Sequence, residues 1–271
     1  MKTFFNNTKY LIRKAGASRI SAYSAQAAFF MFLSLIPMIM LLLSLLNRIG
    51  SSETEITVIA YEFMPSAVSS FFDTYIEEIM DSGKLSLTII SALVLLWSAS
   101  KGVFAIIGGL NSVYEIKEDR NYFLLRFFAI LYTVAFVLIL MFALMVMVFG
   151  SKLNDFICSM FPNITGLVYI ISSLRYILGF AMLVLFFTLL YKMLPNGKIK
   201  FTKQVPGAVL ASGGWVAFSF AFSFFVENFS NYANIYGSLS AIIVFMLWLY
   251  TCMYILFIGA EINLILGNRT N

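Results

Sequence analysis

Residues 239–266 read LSAIIVFMLWLYTCMYILFIGAEINLIL, an apolar run without proline whose one charged residue, Glu261, sits close to its end. A helix that crosses the hydrocarbon core of a bilayer needs about 20 mostly apolar residues. This run is long enough to do so, and five more of the same kind precede it, at 22–46, 85–110, 124–149, 169–190 and 205–226. No internal repeat, linker or low-complexity tract divides them. The sequence therefore predicts an all-α fold: a polytopic integral membrane helix bundle of six transmembrane helices, forming a single membrane domain over 1–271.

Composition argues the same way. Of 271 residues, 61% are hydrophobic and 11% charged, against about 25% charged in an average soluble domain. Too little charge is present to coat a water-soluble surface, so the apolar excess must face lipid. The first run follows a basic segment, Lys9 to Lys14, that superficially resembles the start of a signal peptide. The run is too long for one and lacks a small-residue cleavage site, so a retained helix is expected. Pro37 falls in its middle and is expected to kink it, as proline can where neighbouring helices satisfy the freed backbone groups.

Lys and Arg divide unequally between the two sides of such a bundle. Thirteen, among them Lys9, Arg13, Lys117, Arg120, Lys198 and Arg269, fall on the side of the termini, and only Arg48, Lys84 and Lys152 fall on the other. Positive charge collects on cytoplasmic loops, so both termini are expected in the cytoplasm. The same bias accounts for the net charge of +5, and nucleic acid is not an expected partner. The longest outer segment, 47–84, carries seven acids. It reads either as short amphipathic helices resting on the outer side, with Phe71, Phe72, Tyr75, Ile76 and Ile79 on one stripe, or as a solvated acidic loop. Segment 228–238, rich in Asn, Tyr and Ser, reads as an outer vestibule or as a plain turn.

Catalytic chemistry finds no footing. The chain contains no histidine, and its two cysteines, Cys158 and Cys252, cannot form a metal site by themselves. No phosphate-binding glycine loop occurs, and Ser91, Ser98 and Ser100 have no histidine to act as base. Neither a metal, a cofactor nor an enzymatic activity is expected.

An ionisable group within a span costs about 2.5–3.5 kcal/mol on insertion scales and tends to face the protein interior or a watery cavity. Lys101 and Glu261 both fall toward the cytoplasmic half, so an ion pair or shared polar pocket is expected; the alternative is that Lys101 reaches the lipid phosphates and Glu261 is capped by water. Arg175 and Glu227 share an outer level and suggest a second pair, or simple anchoring. Gln26 and Asn263, polar within the first and sixth spans, complete the candidate substrate pathway. Small residues at roughly four-residue spacing, Gly102, Gly108 and Gly109 in one span and Gly207, Ala211, Gly213, Gly214 and Ala217 in another, read chiefly as helix-packing faces.

Five motifs in order carry a family resemblance. They are Ala25-Gln26-Ala27-Ala28-Phe29-Phe30 with the run to Pro37, Leu96-Trp97-Ser98-Ala99-Ser100-Lys101-Gly102, the turn Leu194-Pro195-Asn196, Tyr236-Gly237-Ser238, and the ending through Trp248-Leu249-Tyr250 to Gly259-Ala260-Glu261-Ile262-Asn263. Over most of its length the chain resembles the YihY/BrkB family. The resemblance implies a bacterial cytoplasmic-membrane protein with six spanning helices and leaves the activity open. Members have carried a ribonuclease label, which does not suit a chain lacking the histidines a zinc-dependent nuclease needs. The expected function is a transporter or flippase-like protein for a lipid-linked or amphiphilic compound, anionic ones included. The alternative is a non-transporting scaffold with an envelope protein partner or a second copy of the chain.

Overall fold

The computed structural model describes residues 16, 18–48, 85–135, 165–197, 199–228 and 239–268. Its elements are α1 (Ile20–Arg48), α2 (Leu85–Val113), α3 (described over Tyr122–Ala135), α4 (Thr165–Met193), a short 3₁₀ turn (Phe201–Gln204), α5 (Val205–Asn228) and α6 (Leu239–Asn268). Among the described residues there is no strand. Four segments, Ile20–Leu45, Thr88–Val113, Phe201–Phe225 and Ile242–Gly267, are long and apolar enough to cross a membrane. α3 and α4 add two shorter apolar lengths, Tyr122–Ala135 and Gly179–Met193. The acidic outer segment from 49 to 84, the second half of the expected third span and the hairpin at 229–238 lie outside the described residues.

Packing follows from where side chains are small. α1 and α2 run antiparallel: Ser44 bonds Thr88 at one end, Gly102 faces Ala27 and Met31 at mid-length, and Gly108 lies under the Tyr23 ring. α6 also runs antiparallel to α1, pairing Phe32 with Phe245 and Ser18 with Glu261. α2 and α6 are therefore parallel, with Gly109 against the ring of Phe257. α5 crosses α6 where two glycines meet: a Cβ at Gly207 would overlap the carbonyl oxygen of Gly259, and one at Gly259 would overlap the Tyr191 hydroxyl from α4. Without a hydrophobic drive between helices in lipid, such close backbone approach is a main source of cohesion. The packing reading of the small faces thus holds for these glycines, whereas Gly213 faces open space.

The outer surface is what a bilayer requires. Phe220 and Phe123 are each 79% exposed and Leu93 is 61% exposed, arrangements that water would penalise and lipid does not. The interior is a band of Leu, Ile and Ala joined by Tyr191 and Phe257. Pro37 is buried within an unbroken helical run, so α1 absorbs it without ending.

Substituting Gly207 by Ala should lower the thermal unfolding midpoint in detergent by the equivalent of about 1–3 kcal/mol, the usual cost of overpacking. Gly213→Ala, where the new methyl meets nothing, should leave that midpoint unchanged.

Candidate functional site

A network of polar side chains gathers at one end of the bundle, where α1 begins, α2 ends and the turns 114–121 and 194–204 lie. α2 closes in a Schellman arrangement: Ile116 N donates to Asn111 O at 2.9 Å and Glu115 N to Ser112 O at 3.3 Å. Glu115 takes the left-handed position (φ 57°) that glycine more often fills. The chain thereby reverses at once and brings Glu118 back beneath Asn111.

Asn111 is the hub. Its Nδ2 donates to Glu118 Oε2 at 2.6 Å, and its Oδ1 accepts from Asn196 N at 2.9 Å, joining the end of α2, the following loop and the turn after α4. Arg120 completes the lock, donating from Nε to Glu118 Oε1 and from Nη2 to Oε2, both at 2.7 Å. Its Nη2 also reaches Leu194 O at 3.3 Å. Two parallel N–H···O bonds of this kind are among the strong polar contacts available to a protein. The Arg120 guanidinium, bonded to both oxygens, holds the Glu118 carboxyl below its usual range. Ile116 fills the space above Gly197, where a Cβ would strike its Cδ1 at 2.8 Å.

A cleft of ≈ 350 Å³ opens against this lock. Tyr23 and Gln26 of α1 and Asn111 and Ser112 of α2 supply polar groups, Glu118 closes its loop side, and Phe104, Ile107, Ile116 and Leu125 form an apolar wall. Lined by both polar and apolar side chains, with its one carboxylate already paired to Arg120, it suits an uncharged polar head attached to an apolar body.

A second network ties the helix ends. Ser18 Oγ donates to Glu261 Oε1 at 3.0 Å, and Ser112 Oγ donates to Ser18 O at 2.9 Å. Asn263 accepts from Gly207 N at 2.6 Å through Oδ1 and donates to Gln204 O at 3.0 Å through Nδ2. The first turn of a helix has no internal acceptors for its N–H groups, and Asn263 supplies one from the neighbouring helix. Tyr114 donates to Gln204 Oε1 at 2.6 Å and Tyr191 to Leu256 O at 2.7 Å.

Against the expected sites, Gln26 does line the cleft. Lys101 and Glu261 are not brought together. Gly109 abuts Phe257, and in parallel helices Lys101 lies two turns from that contact in one direction while Glu261 lies one turn from it in the other. At 1.5 Å per residue their backbones stand about 18 Å apart along the bundle, so the expected pair is corrected to two separate environments. Glu261 is fully buried beside Ser18. Lys101 instead sits over aromatic rings, its Nζ 5.1 Å from the Phe30 centroid and 5.3 Å from that of Trp97. Asn263, expected on a pathway, has both amide groups engaged as a cap and is 2% exposed. Arg175 and Glu227 fall in α4 and α5, and the pairing of their side chains lies outside the described residues. Asn111, Glu118 and Arg120 escaped the sequence reading, although Glu118 and Arg120 at i, i+2 beside the Leu194-Pro195-Asn196 turn were a visible acid–base pair.

Fold and surface define a polytopic helical membrane protein. The chain belongs to the family described as "Virulence factor BrkB", which matches residues 11–271. It is 33% identical over 250 residues to "Putative ribonuclease-like protein YfkH" of Bacillus subtilis (strain 168), covering 91% of this chain and 90% of that protein. It is 27% identical over 269 residues to "UPF0761 membrane protein VV0203" of Vibrio vulnificus (strain YJ016), covering 96% and 82%. "UPF0761 membrane protein VSAL_I2938" of Aliivibrio salmonicida (strain LFI1238) is 26% identical over 258 residues, covering 92% and 79%. No solved structure matches.

Because the folded-state pKa of Glu118 is depressed, its stabilising contribution is present above the ordinary carboxylate value of 4.5 and is lost as pH falls through the lower folded value. Unfolding midpoints in detergent should therefore drop on acidification below pH 4.5 more steeply for the wild type than for Glu118→Gln. Asn111→Ala, which strands the Asn196 N–H and removes a donor to Glu118, should cost about 1–3 kcal/mol at neutral pH by the same measurement.

Proposed function

We propose that this chain is a transporter or flippase-like protein that moves a lipid-linked or amphiphilic envelope compound across the bacterial cytoplasmic membrane, both termini lying in the cytoplasm. The observation that carries this reading is the cleft between α1 and α2, lined by the polar Gln26, Tyr23 and Ser112 together with the apolar Phe104, Ile107 and Leu125. A head group recognised there by amides and hydroxyls would leave its tail against Phe104 and Leu125. The tight Asn111–Glu118–Arg120 lock at the cleft's loop side is a discrete latch of the kind an alternating pathway needs, since Arg120 links it directly to the end of α4. A chain without histidine supports no zinc-dependent nuclease, so the ribonuclease-like name of the Bacillus relative is not carried over.

Reconstitution into liposomes with labelled lipid-linked and glycolipid head groups tests this. Movement above that of empty vesicles is expected, and Gln26→Leu, which keeps the volume but removes the amide, should slow it by about tenfold, the worth of one hydrogen bond to a polar head. No movement across a broad lipid panel would overturn transport and leave the alternative, a scaffold for a second copy or an envelope protein.

A further inference from the structure

About one helical turn from the cleft wall at Phe104, the bundle concentrates positive charge where lipid should lie. Trp97 of α2 is 62% exposed, and Tyr122 and Phe123 at the start of α3 are 60% and 79% exposed. Two cations share the Trp97 indole: Lys101 Nζ is 5.3 Å from its centroid and Arg126 Cζ is 4.7 Å from it. The two charges thus lie within the sum of those distances, about 10 Å, of each other. Arg126 Nη2 also donates to Trp97 O at 3.2 Å, which fixes the guanidinium on this face. Among the described residues no carboxylate lies within ion-pair distance of either cation; the ion pair formed there is Arg120 with Glu118.

The depth of this patch follows from α3. Its apolar length begins at Tyr122, immediately after the charged run 115–120, so the boundary between water and hydrocarbon falls near Tyr122. The Tyr122 ring meets Phe104 at 6.2 Å, which sets Lys101 and Arg126 about one turn inside that boundary. Trp and Tyr concentrate at this level, as do Lys and Arg side chains that reach for headgroups. Two like charges sharing one ring in a poorly solvating layer repel each other, and the rings offset only part of that cost. An anion placed between them would relieve the repulsion.

We propose that Lys101, Arg126 and Trp97 form a binding site for the headgroup of an anionic phospholipid, with its acyl chains along the exposed face of α2 and α3. The phosphate would sit between the two cations and the glycerol region against the indole edge. This site is separate from the cleft at Gln26, and its occupancy does not depend on whether transport occurs.

Bromine on an acyl chain quenches a nearby tryptophan, so the full chain with Trp215 and Trp248 changed to Phe reports on Trp97 alone. In phosphatidylcholine vesicles, brominated phosphatidylglycerol as a minor component should be preferred at Trp97 over brominated phosphatidylcholine at the same fraction, by about fivefold for each cation engaged. The preference should vanish in K101Q/R126Q and persist in K101R/R126K. Equal quenching by the two lipids, or undiminished selectivity in K101Q/R126Q, would overturn the site. Displacement of the lipid by inorganic phosphate would overturn the lipid assignment in favour of a free-anion site. Should the tryptophan changes unfold the chain, native mass spectrometry of the otherwise unaltered protein separates the same outcomes. Phosphatidylglycerol should then be retained over phosphatidylcholine by the wild type and not by K101Q/R126Q, and equal retention would again refute the proposal.

Discussion

One side-chain amide holds the loop end of this bundle together. Asn111 gives a hydrogen to Glu118 and accepts one from the backbone of Asn196, so the end of α2, the turn into α3 and the turn after α4 share a single fixed point. The backbone carbonyl of Asn111 is taken by Ile116 in closing α2, so it is the side-chain oxygen that receives the Asn196 N–H. The cleft inherits its shape from this arrangement. Were the turn at 114–121 to swing away, Ile116 and Glu118 would leave the cleft wall and Gly197 would lose its cover.

The rest of the bundle is held by proximity more than by polarity. Gly109 admits Phe257, and Gly207 and Gly259 let α5 and α6 touch backbone to backbone. Lipid contributes no hydrophobic drive between such helices, so dispersion contacts at these points and the few buried hydrogen bonds carry the association. Glu261 shows how a costly group is accommodated. Glu261 is fully buried, and α1 begins with a reversal at Gly16 to Arg19 that delivers the Ser18 hydroxyl to its Oε1.

Hydropathy made the helices legible. The runs at 22–46, 85–110, 205–226 and 239–266 coincide with α1, α2, α5 and α6 to within a turn or so, because lipid exposure leaves a long uninterrupted apolar signature. Helix register was not legible. Lys101 and Glu261 looked level when each was counted from its own helix end, but the depth at which two helices pack is set by which glycine receives which ring. For Gly109 and Phe257 that offset moves the two charges apart. Asn263 misled for a related reason. A polar residue in a span is read as facing a pathway, and nothing along α6 itself tells that the bare N-terminus of α5 lies beside it. Of the cleft only Gln26 was singled out beforehand, since its walls come from α1, α2, α3 and a loop whose nearness is a tertiary fact.

The cap that Asn263 places on α5 also has an order in time. Ribosomes make α5 before α6, so the N–H of Gly207 and the carbonyl of Gln204 emerge with their eventual partner still unmade. Until α6 leaves the tunnel, those groups must be served by water or by the insertion machinery, which confines the start of α5 to a wet layer. α6 is thus the span that lets its predecessor settle, and the close pairing of the two waits on the later helix.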